Sequence, residues 1–188
     1  ARRYANSVDD GKDEYFDVAY HEGYRIENFT LAGTDISEYS IEYPAEHNEN
    51  MLFAVSELQR LVKKACGAEL SASEGITSAA KVIEFRHSTD AELKDDGYRY
   101  FFEGDRFVIE GAVKRGCMYG VYELLERYIG WRFFFNWQTE KYTEANEESF
   151  YYLYDSEHVD IPAGINDTQV PSFAYRQGRY TWYYNYDE

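Results

Sequence analysis

The sequence predicts a domain of the α+β class, and three observations support this prediction. Apolar residues recur at helical spacing over residues 51–65 and again over 117–128. Between these segments, residues 98–109 alternate between apolar and polar positions around a turn at Gly104, which is typical of a hairpin with one buried face. The chain of 188 residues is long enough for one ordinary domain with a sizeable core.

The chain begins with a polar and acidic segment, residues 1–22, which has no sustained period. We interpret it as a flexible acidic leader that precedes the folded domain. Two segments rich in β-forming residues follow, 24–31 and 36–43. We expect them to form paired strands, with Pro44 ending the second because proline donates no backbone hydrogen bond.

The first helix has recognisable signals at both ends. Asn48 or Asn50 is suited to accept hydrogen bonds from the first free N–H groups, and Gly67 is suited to the left-handed residue that ends a helix. A connector rich in serine, glycine and alanine follows. Residues 81–86, with the sequence KVIEFR, then predict a buried strand that precedes the hairpin.

The second helix follows the hairpin directly, and Gly130 is placed to end it. Gly116 and Gly120 lie four residues apart at its start, although each glycine costs about 1 kcal/mol relative to alanine inside a helix. We therefore expect this face of the helix to pack closely against a strand.

The last part of the chain predicts two more strands, at 131–135 and 150–154, and then a loop that contains two prolines and Gly164. From these boundaries we predict one α+β domain over residues 23–168. Residues 169–188 differ in character because a new strand and an aromatic run appear with no helix after them. We expect them to begin a second domain, which the family resemblance given below implies is a (β/α)8 barrel.

The charge of the chain bears on its partners. Its 19 basic and 35 acidic residues give a formal net charge of −16, which repels phosphate backbones and anionic membrane surfaces. We therefore expect neither nucleic acid nor a membrane as a partner. The only cysteines, Cys66 and Cys117, lie at inward positions of the two predicted helices and are expected to be buried and unpaired.

No motif in the sequence indicates a metal or a cofactor. The four histidines lack ligand spacing, and neither a phosphate-binding glycine loop nor a dinucleotide fingerprint occurs. Acidic pairs occur at 95–96, 147–148 and 187–188, all in polar segments or at the chain end. We expect them to be solvated, and not a catalytic pair with one raised pKa.

The best candidates for substrate binding are Arg176, Arg179 and Trp182. A tryptophan face and arginine N–H groups suit the hydroxyl and carboxylate groups of a sugar. The alternative is that these side chains pack against another part of the protein. Aromatic residues make up 19% of the chain, which is typical of sugar-binding surfaces. A tyrosine-rich face of a sheet, packed in the core, would give the same count.

Four segments of the chain resemble the N-terminal α+β domain of certain bacterial glycoside hydrolases. They are ISEYSIEYP, VSELQRLVKKACGAEL, DGYRYFFEGDRFVIEGAVKRGCMYGVYELLERYIGWRFF and VPSFAYR, and the resemblance extends over about residues 26–177. The resemblance is to α-glucuronidases of family 67 and, more distantly, to the second domain of family 20 β-N-acetylhexosaminidases. It implies a mixed sheet with two main helices on one face, next to a catalytic barrel.

The resemblance also implies a function. The chain is expected to be a non-catalytic accessory domain that braces the barrel of the same polypeptide, without a cofactor, while the barrel cleaves an oligo- or polysaccharide with a pair of carboxyl groups. A secreted, periplasmic or cell-surface location is favoured over the cytoplasm. Two alternatives are a stand-alone carbohydrate-binding module and a structural or interaction domain of a surface protein.

Overall fold

The structure is a computed structural model that describes residues 26–133, 151–153 and 156–172. Its elements in chain order are β1 (Ile26–Leu31), β2 (Thr34–Asp35), a 3₁₀ turn (Ile36–Glu38), β3 (Tyr39–Tyr43), α1 (Glu49–Cys66), β4 (Ala72–Glu74), β5 (Lys81–Ser88), a second 3₁₀ turn (Ala91–Leu93), β6 (Tyr98–Glu103), β7 (Arg106–Ala112), α2 (Gly116–Leu124), a π-helical turn (Leu125–Ile129), β8 (Trp131–Phe133), β9 (Tyr151–Leu153), β10 (Ser156–Ile161) and β11 (Asn166–Gln169).

The described residues form an α+β fold around a mixed sheet of six strands, as the sequence predicts. The strand order is β11-β6-β7-β5-β3-β4. Strands β11, β6 and β7 are antiparallel neighbours, whereas β7, β5, β3 and β4 run parallel to one another. The hairpin predicted over residues 98–109 is β6 and β7, with Gly104 at a φ of 62° in the turn.

Both helices lie on the same face of this sheet, and that face is apolar. Across β6, β7 and β5, Tyr100 lies opposite Ile109, and Ile109 lies opposite Phe85. Each of these side chains is at most 1% exposed and belongs to the core that also contains Leu58 of α1 and Val121 of α2. The opposite face has no α-helix on it in the described part of the chain, and its positions alternate with those of the core face.

A smaller sheet, with the order β10-β1-β2, adds Ile26, Phe29, Leu31 and Ile161 to the same core. Here the predicted pairing was wrong, because β1 pairs with β10 and β2 and not with β3, which lies in the large sheet. The cause is the 3₁₀ turn that interrupts the predicted segment 36–43. The carboxylate of Asp35 accepts a hydrogen bond from the Ser37 N–H at 2.8 Å and starts this turn.

Helix α1 begins and ends where the sequence predicts. The Asn48 side chain accepts a hydrogen bond from the Met51 N–H at 2.9 Å, and Gly67 ends the helix with a φ of 83°. The residues that α1 buries form the predicted apolar stripe. The apolar ones are Met51, Ala54, Val55, Leu58, Leu61, Val62 and Ala65, and Glu57 is buried beside them.

Helix α2 is confirmed but changes its form before it ends. The α-helix stops at Leu124, five residues of π-helix follow, and Gly130 at a φ of 99° ends the segment at the predicted position. A Cβ at Gly116 would overlap the backbone of Gly97 and Gly111. A Cβ at Gly120 would lie 3.4 Å from side chains of β6 and β7. The predicted close packing of this glycine face on a strand is therefore present.

The loop predicted to contain Pro162, Gly164 and Pro171 was wrong in part, because β11 lies between Gly164 and Pro171 and β10 directly precedes Pro162. Only Val159 and Ile161 are buried in β10, and β11 has the polar sequence NDTQ with no fully buried residue. Each strand lies at the edge of its sheet, where one face is exposed and apolar periodicity is weak. The predicted strand 131–135 is described only as far as Phe133, where it forms β8. The predicted leader, residues 1–22, lies outside the described residues.

The glycine contact gives a testable prediction. Gly116→Ala adds a Cβ where backbone atoms already lie, so we expect a loss of about 1–3 kcal/mol in the free energy of unfolding, although alanine is the better helix former. Urea unfolding of the chain measures this loss. Gly164→Ala is the matched control, since nothing lies within 4 Å of its Cβ position and its φ is not positive. The prediction is contradicted if the two variants are equally stable.

Candidate functional site

The three candidate substrate-binding residues of the sequence, Arg176, Arg179 and Trp182, lie outside the described residues. The acidic pairs at 147–148 and 187–188 also lie outside them. The described chain ends at Ser172, four residues before Arg176. The structure therefore places none of the candidates, and the site is built from the surface around Ser172.

Ser172 lies at an open groove of about 400 Å³ beside α2. We call this surface the aromatic groove, and its lining consists of Tyr98, Tyr119, Tyr122, Glu123, Glu126 and residues 169–172. Because β11 pairs with β6, the chain after Gln169 runs directly from the edge of the large sheet into this groove. The groove is thus formed where α2, β6 and β11 meet.

Tyr98 of β6 lines the aromatic groove and packs on a second, fully buried tyrosine of the same strand. Tyr98 is 7% exposed, and burial raises its pKa to about 12. Its ring centroid lies 5.6 Å from that of Tyr100, whose hydroxyl donates a hydrogen bond of 2.9 Å to the Gly120 carbonyl. Both phenols are therefore neutral at physiological pH, and the Tyr100 hydroxyl joins β6 to α2.

Tyr122 forms one wall of the aromatic groove and is fixed by several contacts. Its hydroxyl donates a hydrogen bond of 2.8 Å to a carboxylate oxygen of Glu57 on α1, and its ring meets the Phe133 ring edge-on at 5.0 Å. Burial by itself raises the pKa of Glu57, but hydrogen bonds from Arg60 and Tyr122 outweigh it, so this pKa is lowered. Tyr122 thus presents a rigid ring to the groove.

The acidic side of the groove consists of Glu123 and Glu126. They are three residues apart and so lie on neighbouring positions of the helical segment. Neither carboxylate has an ion-pair partner among the described residues. Above Tyr119, the Arg115 guanidinium lies 5.6 Å from the ring centroid. The groove therefore offers aromatic surface together with two uncompensated negative charges.

Sequence reasoning did not identify this groove. Glu123 is half-buried and Glu126 is exposed, and no sequence motif marked either of them. The signal that was present is the pair of tyrosines at 119 and 122 on the same side of the helix. The contribution of residues 169–172 was not visible because β11 has no apolar pattern.

The open face of the large sheet, which we call the charged face, is a network of ion pairs. Arg106 contacts both Glu42 and Glu84, the latter at 2.6 Å. Arg86 joins Glu84 at 2.9 Å and Glu103 at 2.8 Å. These pairs link β3, β5, β6 and β7 across the face that no α-helix covers in the described chain.

Glu42 is the most buried carboxylate of the charged face, with 2% of the residue exposed. Burial alone raises its pKa, but hydrogen bonds from Thr77 and Arg106 outweigh this effect and lower it. The carboxylate is thus held in its charged form. Its partners leave it no free oxygen for acid–base chemistry, because one oxygen accepts from Thr77 and the other from Arg106.

The expectation that the acidic pair 95–96 is solvated was wrong for Asp96. This side chain is buried, with 4% of the residue exposed, and both of its oxygens accept hydrogen bonds from Arg115, at 3.1 and 2.8 Å. Asp95 remains at the surface and pairs with Lys114 at 2.9 Å. The two adjacent residues differ in burial because the chain turns here, directly before Gly97, which contacts Gly116.

The described residues were also searched for a reactive cysteine, a metal site and a membrane-spanning helix. Both cysteines are free; Cys117 is 3% exposed, and burial raises its pKa to about 12. No group of three or more potential metal-ligating side chains comes together within residues 26–133, 151–153 and 156–172. In the same residues, neither helix has the length and apolar character needed to cross a membrane.

Comparison with known proteins gives little further identification. No protein-family model and no curated protein matches the chain. Among solved structures, the chain is similar to CpGH84D, a glycoside hydrolase family 84 protein, with a TM-score of 0.37 and 12% identity over 65% of this chain. The chain spans 25% of that protein. These values are too low to establish a common fold, so the fold is defined by the strands and helices described above.

The charged face predicts a pH-dependent stability. Because the pKa of folded Glu42 lies below its ordinary value of 4.5, its stabilisation is present above that pH and is lost as the pH falls through the lowered pKa. We expect Glu42→Gln to lower the free energy of unfolding by about 1.5–3 kcal/mol at pH 7 and by much less at pH 3.

Urea unfolding at pH 7, 5 and 3 checks this prediction. Glu46→Gln is the matched control because Glu46 is exposed and has no ion pair among the described residues. If the difference in the free energy of unfolding between wild type and Glu42→Gln stays constant from pH 7 to pH 3, ionisation of Glu42 does not stabilise the fold.

Proposed function

We propose that this chain is a non-catalytic accessory domain of a glycoside hydrolase. Its role is to brace a catalytic barrel that follows it in the same polypeptide and to contribute one wall to the substrate cleft. The partner is thus the barrel, and the substrate of the whole enzyme is an oligo- or polysaccharide. The barrel hydrolyses the glycosidic bond with its own pair of carboxyl groups.

The observation that supports this proposal most directly is the layout of the fold. The hairpin of β6 and β7, the glycine-bearing helix α2 and strand β8 follow one another as the resemblance to α-glucuronidase N-terminal domains implies. Both helices also lie on one face of a mixed sheet. Support of this kind is an analogy between folds, and the activity itself needs a direct test.

The state of the buried acids supports a non-catalytic role for the described residues. Four carboxylates are buried in the described part of the chain, and each binds an arginine: Glu42 binds Arg106, Glu57 binds Arg60, Asp96 binds Arg115 and Glu110 binds Arg99. A glycosidase acid needs a raised pKa, which arises where a carboxyl group is buried without such a partner. The catalytic pair is therefore proposed to lie in the barrel.

Arg176, Arg179 and Trp182 belong to this proposal as residues of the junction between the domain and the barrel. If the segment after Pro171 is the first barrel strand, the loop after it lies on the side of the barrel where substrates bind. The aromatic ring and the guanidinium groups then suit contact with a sugar. The alternative is that they pack between the two domains.

The aromatic groove favours one second candidate, a stand-alone carbohydrate-binding module. Rigid tyrosine rings such as Tyr122, next to the carboxylates of Glu123 and Glu126, suit the apolar face and the hydroxyl groups of a pyranose. This candidate predicts that the 188-residue chain binds polysaccharide by itself, which an accessory domain need not do.

The test is to sequence the coding region beyond Glu188 and to assay the longer product. We expect several hundred further residues with strand–helix repeats, and cleavage of aryl glycosides or uronic-acid-bearing oligosaccharides by the longer product. The 188-residue chain is the matched control and is expected to cleave none of them. A reading frame that stops near Glu188, or polysaccharide binding by the chain alone, would favour the binding module instead.

A further inference from the structure

Strand β11 is attached to the large sheet by few interactions. It has four residues, Asn166–Gln169, and lies at the sheet edge, where β6 is its only paired neighbour in the described chain. None of its residues is buried, and none belongs to the apolar core. Polar edge segments with few buried contacts are the parts of a protein that open locally while the rest stays folded. The fold therefore needs a specific contact to keep β11 closed.

That contact is made by Asp167. Among the described residues, it is the one residue of β11 whose side chain bonds to another element. Its Oδ2 accepts hydrogen bonds from the Arg127 guanidinium at 2.5 Å and from the Tyr128 hydroxyl at 3.2 Å. Its Oδ1 accepts a hydrogen bond from Gln169 of the same strand at 3.1 Å. Asp167 lies opposite Tyr100 in the register of β11 and β6, so it faces the side of the sheet that carries the helices.

The partners of Asp167 come from the π-helical turn that follows α2. In this turn the Gly130 N–H donates a hydrogen bond of 3.0 Å to the Leu125 carbonyl, five residues earlier in the chain. Single π-helical turns are rare in proteins and are frequent at functional sites. Here the turn presents two consecutive side chains, Arg127 and Tyr128, to one carboxylate.

The two partners are themselves held in place on the helical side. The Tyr128 ring meets the Tyr100 ring edge-on at 6.2 Å and packs against the core. The Arg127 guanidinium lies 5.6 Å from the centroid of the Tyr128 ring. Half of the Arg127 side chain is exposed, whereas 18% of the Asp167 side chain is. Because hydrogen bonds between charged groups are stronger than neutral ones, this contact contributes strongly to the attachment of β11.

The chain is held firmly before β11 and weakly after it. Ile165 is 7% exposed, and its N–H donates a hydrogen bond of 3.0 Å to the Pro162 carbonyl. After the strand, residues 170–172 line the aromatic groove, and none of these three is buried. This arrangement allows β11 to swing about its start while its end leaves the sheet.

We propose that β11 is a latch strand, which opens from the edge of β6 and closes on it while the rest of the large sheet stays folded. The contact of Asp167 with Arg127 and Tyr128 holds the latch closed. Closing places residues 169–172 beside α2 and completes the aromatic groove. Opening removes this side of the groove and frees the hydrogen-bonding edge of β6. The inference goes beyond the proposed function, because it requires neither a sugar nor a hydrolase.

Native-state hydrogen–deuterium exchange of the 188-residue chain tests the latch without any ligand, so its outcome is independent of the assay of glycosidase activity. We expect the amides of β11 to exchange through a local opening, and thus faster than those of β7 inside the sheet. Asp167→Asn should accelerate exchange in β11 about tenfold and leave β7 unchanged, because it removes a charged acceptor and keeps the size of the side chain. Tyr128→Phe, which removes one donor, should accelerate exchange in β11 about threefold.

Asp105→Asn is the charge-matched control. Asp105 pairs with Lys81 at 2.5 Å at the surface, close to the turn between β6 and β7, and its substitution should leave exchange in β11 unaffected. Arg127→Gln should act on β11 in the same way as Asp167→Asn. Equal exchange rates of β11 and β7 in the wild type, unchanged exchange of β11 in Asp167→Asn, or equal acceleration of β11 and β7 in that variant would each overturn the proposal.

Discussion

The close contact between three glycines determines where α2 lies on the sheet. Gly116 at the start of α2 contacts the backbone of Gly97 and Gly111, where a Cβ would overlap main-chain atoms. The Gly97 carbonyl also accepts a hydrogen bond of 2.8 Å from the Ala112 N–H, so the same peptide joins the strand and the helix start. Because α2 begins at this point, its outward residues and the aromatic groove have fixed positions relative to β6.

The two faces of the large sheet are stabilised by different interactions. On the helix side, aromatic and aliphatic residues such as Tyr100 and Ile109 are excluded from water, which is the main source of stability. On the charged face, arginines bridge carboxylates of neighbouring strands, and Glu42 is buried only because Thr77 and Arg106 satisfy it. One open groove lies at the edge where α2, β6 and β11 meet.

The sequence predicted the elements whose signals are local. Helix α1 could be located from Asn48, its apolar stripe and Gly67, and the end of the second helix from Gly130, since each signal acts within one or two turns. Strands β10 and β11, the partner of β1 and the burial of Asp96 depend on residues more than 15 positions away, so no local pattern showed them. The aromatic groove was missed for the same reason, because β11 forms one of its sides.

Scanning calorimetry tests most directly the central claim, that this domain braces a following one. A domain that binds its neighbour only in the folded state is stabilised by it, so the longer gene product should unfold with this domain at a higher temperature than the isolated 188-residue chain. We predict one shared transition, or a transition of this domain shifted upward by several degrees. A separate transition at the temperature of the isolated chain would contradict the account, because it would show that the two parts do not stabilise each other.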